Sequence, residues 1–245
     1  VKEKIPVGIF SLEMSKDQLV DRLLCAEAQV DLWRMRTGRL SDRPEDDDFP
    51  RIGHAMGVLS EAPIFIDDSP NVNIMQIRAK ARRLQAEHGL GLIMVDYLQL
   101  MESRDTSQEN RVQEVAEITR GLKGIARELS VPVLALSQLA RAVEMSKPAI
   151  PKLSHLRESG SIEQDADVVL FIYRKAADRN YRLEDIPPDE RRVAEIHIAK
   201  HRNGPTGLVR MIFDEERASF RSLDTQFANV APPPALPPRV VVPQF

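Results

Sequence analysis

The sequence alternates short, uninterrupted apolar runs with segments that have helical spacing, and this alternation is what most limits the fold. The run GLIMVDYLQLM (91–101) is apolar at nearly every position, with the acid Asp96 in its middle. The other runs are PVGIFSL (6–12), PIFIDD (63–68), VPVLALS (131–137) and DVVLFIYR (167–174). Strands that are apolar on both sides are typical of parallel sheets covered on both faces. The pattern therefore predicts an α/β fold with a mostly parallel central sheet and helices on both faces.

Helix start and stop signals lie between these runs. Ser15 and Gln18 predict a capping box for a helix that continues at roughly helical spacing until Gly38, and Asn73 predicts the N-cap of a helix that ends at Gly89. The acidic stretch 42–51 is either a solvated connection or a helix start. The clearest helix has apolar residues at steps of three and four: Val112, Val115, Ile118, Leu122, Ile125 and Leu129.

The pattern changes near the carboxyl end of the chain. Alternating stretches at 193–200 and 208–214 flank the turn RNGPTG (202–207), which predicts an antiparallel hairpin. Six of the seventeen prolines lie within 225–245. We therefore expect one domain over residues 1–223 and a disordered proline-rich tail over 224–245.

Composition excludes several classes of protein. Hydrophobic residues make up 42% of the 245 residues, and no apolar run approaches the ~18 residues that a membrane span needs, so we expect a soluble chain with no membrane partner. The single cysteine, Cys25, excludes an intramolecular disulfide and a cysteine-cluster zinc site, which indicates a reducing, cytoplasmic compartment. The net charge of -3 means that any contact with nucleic acid must come from local patches.

Polar residues follow three of the predicted strands. Glu13 follows GIFSL, Asp96 closes GLIMV and Gln138 follows VLALS. Because ligands of open parallel sheets collect at the carboxyl ends of the strands, two carboxylates and an amide there favour a site that hydrolyses a magnesium-bound nucleotide. Each residue taken alone also has a purely structural interpretation, at a helix N-terminus, a strand-end turn or a loop backbone.

Five motifs make the interpretation more specific. In chain order they are FSLEMS, MVDYLQLM, ALSQLAR, LRESGSIEQDADVVLF and AKHRNGPTG. In this order and spacing they resemble the carboxyl-terminal motor domain of the DnaB-type replicative DNA helicases, a branch of the RecA-like ATPases. The resemblance covers about residues 6–223. It implies a RecA-like P-loop NTPase core that uses ATP and Mg²⁺, and a homo-hexamer that unwinds DNA by moving on single-stranded DNA at the nucleoid replication fork, with primase and a helicase loader as partners.

The resemblance also implies roles for individual residues. Glu13 corresponds to the catalytic carboxylate that activates water, Asp96 to the acid that holds Mg²⁺ through water, and Gln138 to the amide that couples the γ-phosphate to the DNA-binding loops. Lys200 and Arg202 correspond to a basic pair that acts on the neighbouring subunit's nucleotide, with Arg202 as the arginine finger. Without the resemblance, these two cations would be ordinary charges at a hairpin turn.

Two segments, 102–111 and 152–166, correspond to loops that line the central channel of the family's ring. The expected DNA-binding residues are Asn110, Arg111, Arg141, Arg157, Glu158 and Gly160. A structural interpretation of RESGS is a solvated turn. The stretch MSKPAIPK (145–152) has only two basic residues where relatives usually carry several, so DNA binding by this loop is expected to be weaker or to depend more on Arg141 and Arg157.

The phosphate-binding loop GxxxxGK[ST] does not occur in the printed sequence. In the family it lies before the strand that ends at FSLEMS, so the sequence is interpreted as a fragment or, alternatively, as a variant that lost the loop and its strand. The chain by itself is expected to bind nucleotide poorly and not to unwind DNA. Two other functions stay open, a RecA-like recombination or repair ATPase and a non-catalytic DNA-binding or oligomerisation module.

Overall fold

The computed structural model describes residues 3–101 and 111–223, which form two four-stranded sheets with helices. The proline-rich segment 224–245 and Asn110 lie outside the described residues. The elements are β1 (Val7–Ser11), α1 (Lys16–Ala28), α2 (Leu32–Arg36), α3 (Asp48–Ser60), β2 (Ile64–Asp67), α4 (Ile74–His88), β3 (Leu92–Asp96), α5 (Arg111–Leu129), β4 (Val133–Ala135), α6 (Gly160–Asp165), β5 (Val168–Tyr173), β6 (Val193–His201), β7 (Gly207–Asp214) and β8 (Ser219–Ser222). Short 3₁₀ helices lie at Leu98–Leu100, Arg141–Met145, Leu153–Ser159, Lys175–Ala177 and Leu183–Asp185.

The first sheet has the strand order β2-β1-β3-β4, and every neighbouring pair is parallel. Val7 of β1 lies opposite both Ile64 and Leu92, and Ser11 lies opposite Asp96. The carboxyl ends of the strands therefore meet at one edge of the sheet, as the sequence predicted.

The main core lies between this sheet and helices α4 and α5. Apolar side chains of alternate strand positions pack against one face of each helix. The buried residues of this cluster include Phe10, Ile77, Ala81, Ile93, Val95, Ile118, Leu122 and Ile125. The opposite face of the sheet is less covered, since Leu134 of β4 is 45% exposed.

The second sheet is antiparallel, with the order β5-β6-β7-β8. The predicted hairpin is confirmed as β6 and β7, to which β8 adds a strand that the sequence did not predict. The expectation that DVVLFIYR is a buried strand of the parallel sheet is wrong, because β5 pairs antiparallel with β6. Val168, Leu170 and Ile172 on one face of β5 are exposed, so the run is apolar throughout without being buried throughout.

The predicted helix between Ser15 and Gly38 is two helices. Ser15 and Gln18 form the predicted capping box, but α1 ends at Ala28 because Gln29 adopts a left-handed conformation with φ 56°. Asp31 then caps α2. The acidic stretch 42–51 contains a helix start, since the Asp47 side chain accepts a hydrogen bond from the Phe49 N–H at 3.0 Å.

The other two predicted helices are found as α4 and α5. Asn73 caps α4, and Gly89 follows its last residue with a φ of 70°. Within residues 3–101 and 111–223, no helix is long and apolar enough to cross a membrane.

Candidate active site

The ends of β1 and β3 are joined by a backbone hydrogen bond from the Leu12 N–H to the Asp96 carbonyl, at 2.7 Å. The buried Ser11 hydroxyl shapes the turn that follows β1, because it donates to the Met14 carbonyl at 2.7 Å and accepts from the Met14 N–H at 3.3 Å. This turn carries Glu13, whose side chain is exposed. The strand pairing thus brings Glu13 to the same edge of the sheet as Asp96.

Asp96 is partly buried at the end of β3, and its peptide bond to Tyr97 is cis. Burial raises the pKa of the Asp96 carboxyl, the negative charge of Glu13 raises it further, and Arg22 of α1 opposes both effects. Glu13 and Asp96 are therefore close enough to interact electrostatically, although their side chains are not hydrogen-bonded to each other.

Gln138 follows β4 at the same edge, and its backbone is fastened to the segment after β3. The Gln99 side chain accepts a hydrogen bond from the Gln138 N–H at 3.2 Å and donates to the Ser137 hydroxyl at 2.8 Å. Leu136 and Leu98 add backbone hydrogen bonds between the same two segments. The Gln138 amide side chain is exposed and has no hydrogen-bond partner among the described residues.

Lys200 and Arg202 lie elsewhere, at the end of β6 and the start of its turn, against α6. Lys200 donates to the Glu163 carbonyl, and Arg202 donates to the Gln164 carbonyl at 3.2 Å. Within the described parts of the chain, no hydrogen bond or ion pair connects this pair with Glu13, Asp96 or Gln138. The five predicted catalytic residues therefore form two groups, one at the sheet edge and one on α6.

The predicted DNA-binding positions lie on neighbouring segments. Arg111 begins α5, Arg157 and Glu158 lie in the 3₁₀ helix Leu153–Ser159, and exposed Arg141 begins another 3₁₀ helix. The Ala140 N–H donates to the His155 carbonyl at 3.2 Å, which joins these two 3₁₀ segments.

Gly160 is the first residue of α6 and is exposed. Its φ of -54° is open to any residue, and a Cβ added there would meet no atom of the described residues within 4 Å. The described contacts therefore do not require a glycine at this position.

The sheet edge fits a metal shared with a nucleotide better than a metal held by protein alone. The described residues include no group of three or more histidine, cysteine or acidic side chains that could hold a metal ion. Mg²⁺ in nucleotide sites is bound by one or two carboxylates together with phosphates and water. The Asp96 carboxylate matches that donor set and leaves Glu13 for another role.

Comparison with known families gives a match over nearly the whole chain. The model of the DnaB-like helicase C terminal domain matches residues 1–222. The chain belongs to this family. Its RecA-like α/β fold therefore agrees with the resemblance found in the sequence motifs.

Curated relatives of this DnaB-family chain include replicative DNA helicases from two bacilli. The Replicative DNA helicase DnaB of Geobacillus stearothermophilus is 50% identical over 228 residues, and the Replicative DNA helicase DnaC of Bacillus subtilis (strain 168) is 49% identical over 228 residues. Each alignment covers 93% of this chain. The chain spans 48% of the length of each relative, so it corresponds to about half of those proteins.

Two solved structures have a similar fold. One, described as an ATPase domain, superimposes with a TM-score of 0.81 and 34% identity, covering 91% of this chain and 76% of that chain. The other, a DnaB-like replicative helicase described with its interactions with primase, gives a TM-score of 0.82 and 34% identity over 91% of this chain and 52% of that chain.

Two residues at the sheet edge of this DnaB-family chain were not singled out in the sequence. Gln99 lies inside the MVDYLQLM motif, three positions after Asp96, and that nearness was the available signal. Arg22 lies on the exposed side of α1, and nothing in the sequence relates it to Asp96.

Proposed function

We propose that the whole protein is an ATP-dependent replicative DNA helicase that unwinds duplex DNA by moving as a homo-hexameric ring on single-stranded DNA. The observation that carries the proposal is the convergence of Glu13, Asp96 and Gln138 at the carboxyl edge of a parallel sheet. Family membership supports this function over a recombination or repair ATPase. A module without catalysis would not need two carboxylates and an amide at this edge.

In the proposed site, Asp96 would hold Mg²⁺ through water, and the ion would neutralise charge on the nucleotide's phosphates. Glu13 accepts a proton from the attacking water. The exposed Glu13 carboxylate, which has no hydrogen-bond partner among the described residues, is available for this role. The Gln138 amide couples the presence of the γ-phosphate to the position of the segment after β4. That segment is hydrogen-bonded to the 3₁₀ helix that contains Arg157.

We propose that a further segment of the whole protein supplies the phosphate-binding loop. The relatives are about twice as long as this chain, which leaves room for such a segment. β4 and β5 are edge strands of their sheets, and apolar side chains in or beside them are exposed, among them Leu134, Leu136 and Leu170. An additional strand paired with β4 and parallel to it would bring its following loop to the Asp96 edge, and a helix after that loop would cover the exposed face of the sheet.

We propose that Lys200 and Arg202, whose described contacts are with α6 and Asp167, act in trans. A guanidinium offers forked donors to phosphoryl oxygens, and an arginine finger in a neighbouring subunit is worth ~10³–10⁵ in rate. This arrangement requires an oligomer, and we propose the hexameric ring that the family resemblance implies. Primase is a proposed partner, as is a helicase loader, and the proposed location is cytoplasmic, at the replication fork.

Single-stranded DNA is the proposed ligand of the segments that carry Arg111, Arg141, Arg157, Glu158 and Gly160. The bare backbone at Gly160 leaves its surroundings open to a phosphate, and Arg141 is exposed. Asn110 is part of the same proposal and lies outside the described residues.

The proposed function is tested by ATP hydrolysis and fork unwinding with the full-length protein. Glu13→Gln removes the proposed general base, and we expect kcat to fall by about 10²-fold or more. Asp96→Asn is expected to lower activity and to raise the Mg²⁺ concentration needed for it. Glu87→Gln is a matched control, because Glu87 is an exposed acid at the end of α4, away from the strand ends. Full activity of the Glu13→Gln protein would refute the catalytic assignment.

A further inference from the structure

Asp167 lies between α6 and β5, where it contacts Arg202 in two ways. Its carbonyl accepts a hydrogen bond from the Arg202 N–H at 2.8 Å, and its Oδ1 forms an ion pair with Arg202 Nη1 at 3.3 Å. Arg202 Nη2 donates to the Gln164 carbonyl at 3.2 Å. Arg202 is therefore held both at its backbone and at its guanidinium, and two of the three contacts come from Asp167.

The second carboxylate oxygen of Asp167 binds another cation. Oδ2 accepts a hydrogen bond from Lys123 Nζ of α5, and this bond holds the pKa of the Asp167 carboxyl below its usual value. One carboxylate thus bridges Lys123 and Arg202, so α5 and the β6–β7 turn are joined through a single side chain.

Lys123 and Arg202 border a recess of about 240 Å³ that is rich in positive charge. Arg120, Lys123 and Arg127 of α5 line it together with Arg202. The nearby Asp165 carboxylate is bound to the Thr119 hydroxyl at 2.6 Å. Among the described residues, Asp167 is the carboxylate that pairs with Arg202, so it is the group that offsets the repulsion of the other cations on that guanidinium.

The contacts to Asp167 orient Arg202 without enclosing it. The Arg202 side chain is 46% exposed and that of Asp167 is 53% exposed. A guanidinium has five N–H donors, and the contacts to Asp167 and Gln164 use those of Nη1 and Nη2 only in part. Donors therefore remain available for a phosphoryl oxygen outside this chain.

We propose that Asp167 is the positioning residue for Arg202, holding the guanidinium in the direction from which it reaches the nucleotide of a neighbouring subunit. This inference rests on the proposed function, in which Arg202 acts in trans.

An ordinary surface ion pair is the competing interpretation, and it makes a different prediction. Half-exposed ion pairs contribute little to the free energy of unfolding. If the Asp167–Arg202 pair were only such a contact, its removal would leave kcat nearly unchanged. A positioning role instead affects turnover at the neighbour's site. We expect Asp167→Asn in the full-length protein to lower kcat for DNA-stimulated ATP hydrolysis about three- to tenfold, with KM for ATP within about twofold of the unsubstituted protein.

Glu190→Gln is the matched control, since Glu190 is another half-exposed acid in an ion pair with a lysine, Lys175. Its kcat should equal that of the unsubstituted protein. Asp167→Glu, which keeps the charge, should recover part of the loss. An unchanged kcat for Asp167→Asn, measured alongside an impaired Arg202→Ala protein, would overturn the proposal and leave the proposed function intact.

Mixed rings locate the defect on one side of the subunit interface. Equal amounts of Glu13→Gln and Arg202→Ala proteins should recover activity, because some interfaces then combine an intact Glu13 with an intact Arg202. Failure of this pair counts against action in trans, and so against the proposed function. Asp167→Asn should recover with Glu13→Gln and should not recover with Arg202→Ala. Recovery of activity in the mixture of Asp167→Asn and Arg202→Ala proteins would show that Asp167 acts in the subunit that binds the nucleotide. That result would refute its role in positioning Arg202.

Discussion

Gln99 holds the segment after β4 in place with hydrogen bonds of both the oxygen and the nitrogen of its side-chain amide. The oxygen accepts from the Gln138 N–H and the nitrogen donates to the Ser137 hydroxyl. These bonds fix the backbone of Gln138 and leave its own amide exposed. A glutamine in this motif thus positions a second glutamine, which supports the proposal that Gln138 senses a phosphate.

At the scale of this residue, we expect Gln99→Ala to lower the free energy of unfolding by about 1 kcal/mol, because the Gln138 N–H loses its partner. Urea unfolding of this chain measures the change. Gln113→Ala is the control, since Gln113 is exposed on α5 and alanine is favoured in a helix. If the two variants were equally stable, the amide of Gln99 would not be holding the strand end.

Helix α5 illustrates what can be predicted at the scale of an element. Its apolar residues recur at three and four positions, so its existence and its buried face followed from the sequence, and Val115, Ile118, Leu122 and Ile125 are buried as expected. The roles of its two glycines, Gly121 and Gly124, did not follow from the sequence. Gly121 faces Ile74 of α4, where an added Cβ would lie 2.4 Å from the Ile74 Cγ1, whereas a Cβ at Gly124 meets no atom of the described residues within 4 Å.

These two glycines give a matched pair of substitutions within one helix. Gly124→Ala should raise the free energy of unfolding by ~0.5–1 kcal/mol, because alanine is the better helix residue and has room. Gly121→Ala gains the same propensity but forces the stiff Ile74 side chain aside, at a cost of ~1–3 kcal/mol, so it should be destabilising overall. Thermal unfolding of the two variants compares them directly. Equal stabilisation by both would mean that α4 and α5 are not closely packed at Gly121.

The break within the chain's first helical region was harder to predict. Its periodicity continues through Gln29, but the left-handed backbone of that residue ends α1 and begins a separate helix at Leu32. Arg217 donates to the Gln29 carbonyl at 2.9 Å, and the Leu32 N–H donates to the Glu216 carbonyl. The break is thus stabilised by residues almost two hundred positions away, which no local pattern contains.

At the scale of the whole molecule, the buried carboxylate of Asp214 connects the second sheet, through arginine side chains, with Gln29 at the end of α1. Asp214 lies at the end of β7 and pairs with Arg217 at 2.8 Å, Arg221 at 3.2 Å and Arg192 at 3.6 Å. Arg217 and Arg221 also bind Gln29. Burial by itself would raise the pKa of Asp214, but the hydrogen bond and charge of Arg217, with Arg192, lower it below its usual value of 3.8.

This shift predicts acid-dependent stability. Because the folded pKa of Asp214 is depressed, its contribution is fully present above the unfolded pKa of about 3.9 and is lost as pH falls below that through the folded pKa. Asp214→Asn should lower the free energy of unfolding by roughly 1–3 kcal/mol at pH 7, and this deficit should shrink below about pH 4. Urea unfolding between about pH 3 and 7 measures it, with the exposed Asp42→Asn as control. A deficit that does not change with pH would show that the charge of Asp214 does not stabilise the fold.

The strands show which features of the fold could be predicted from local sequence patterns and which could not. Sequence periodicity identified five apolar strands and the hairpin, because alternation and apolar runs are local properties. It did not show that β5 belongs to an antiparallel sheet, since an exposed apolar face and a buried one have the same composition. Only the pairing of β5 with β6 decided this.

The sequence by itself determined the chemical groups at the strand ends and their family, because motif order and spacing are written in the chain. It placed Glu13, Asp96 and Gln138 at the ends of parallel strands, and parallel pairing brings such ends to one edge. The tertiary structure alone decided that Lys200 and Arg202 rest on α6 and that Asp167 bridges Arg202 to Lys123. Contacts of this kind join residues tens of positions apart, and their geometry is set by packing, which local sequence patterns do not encode.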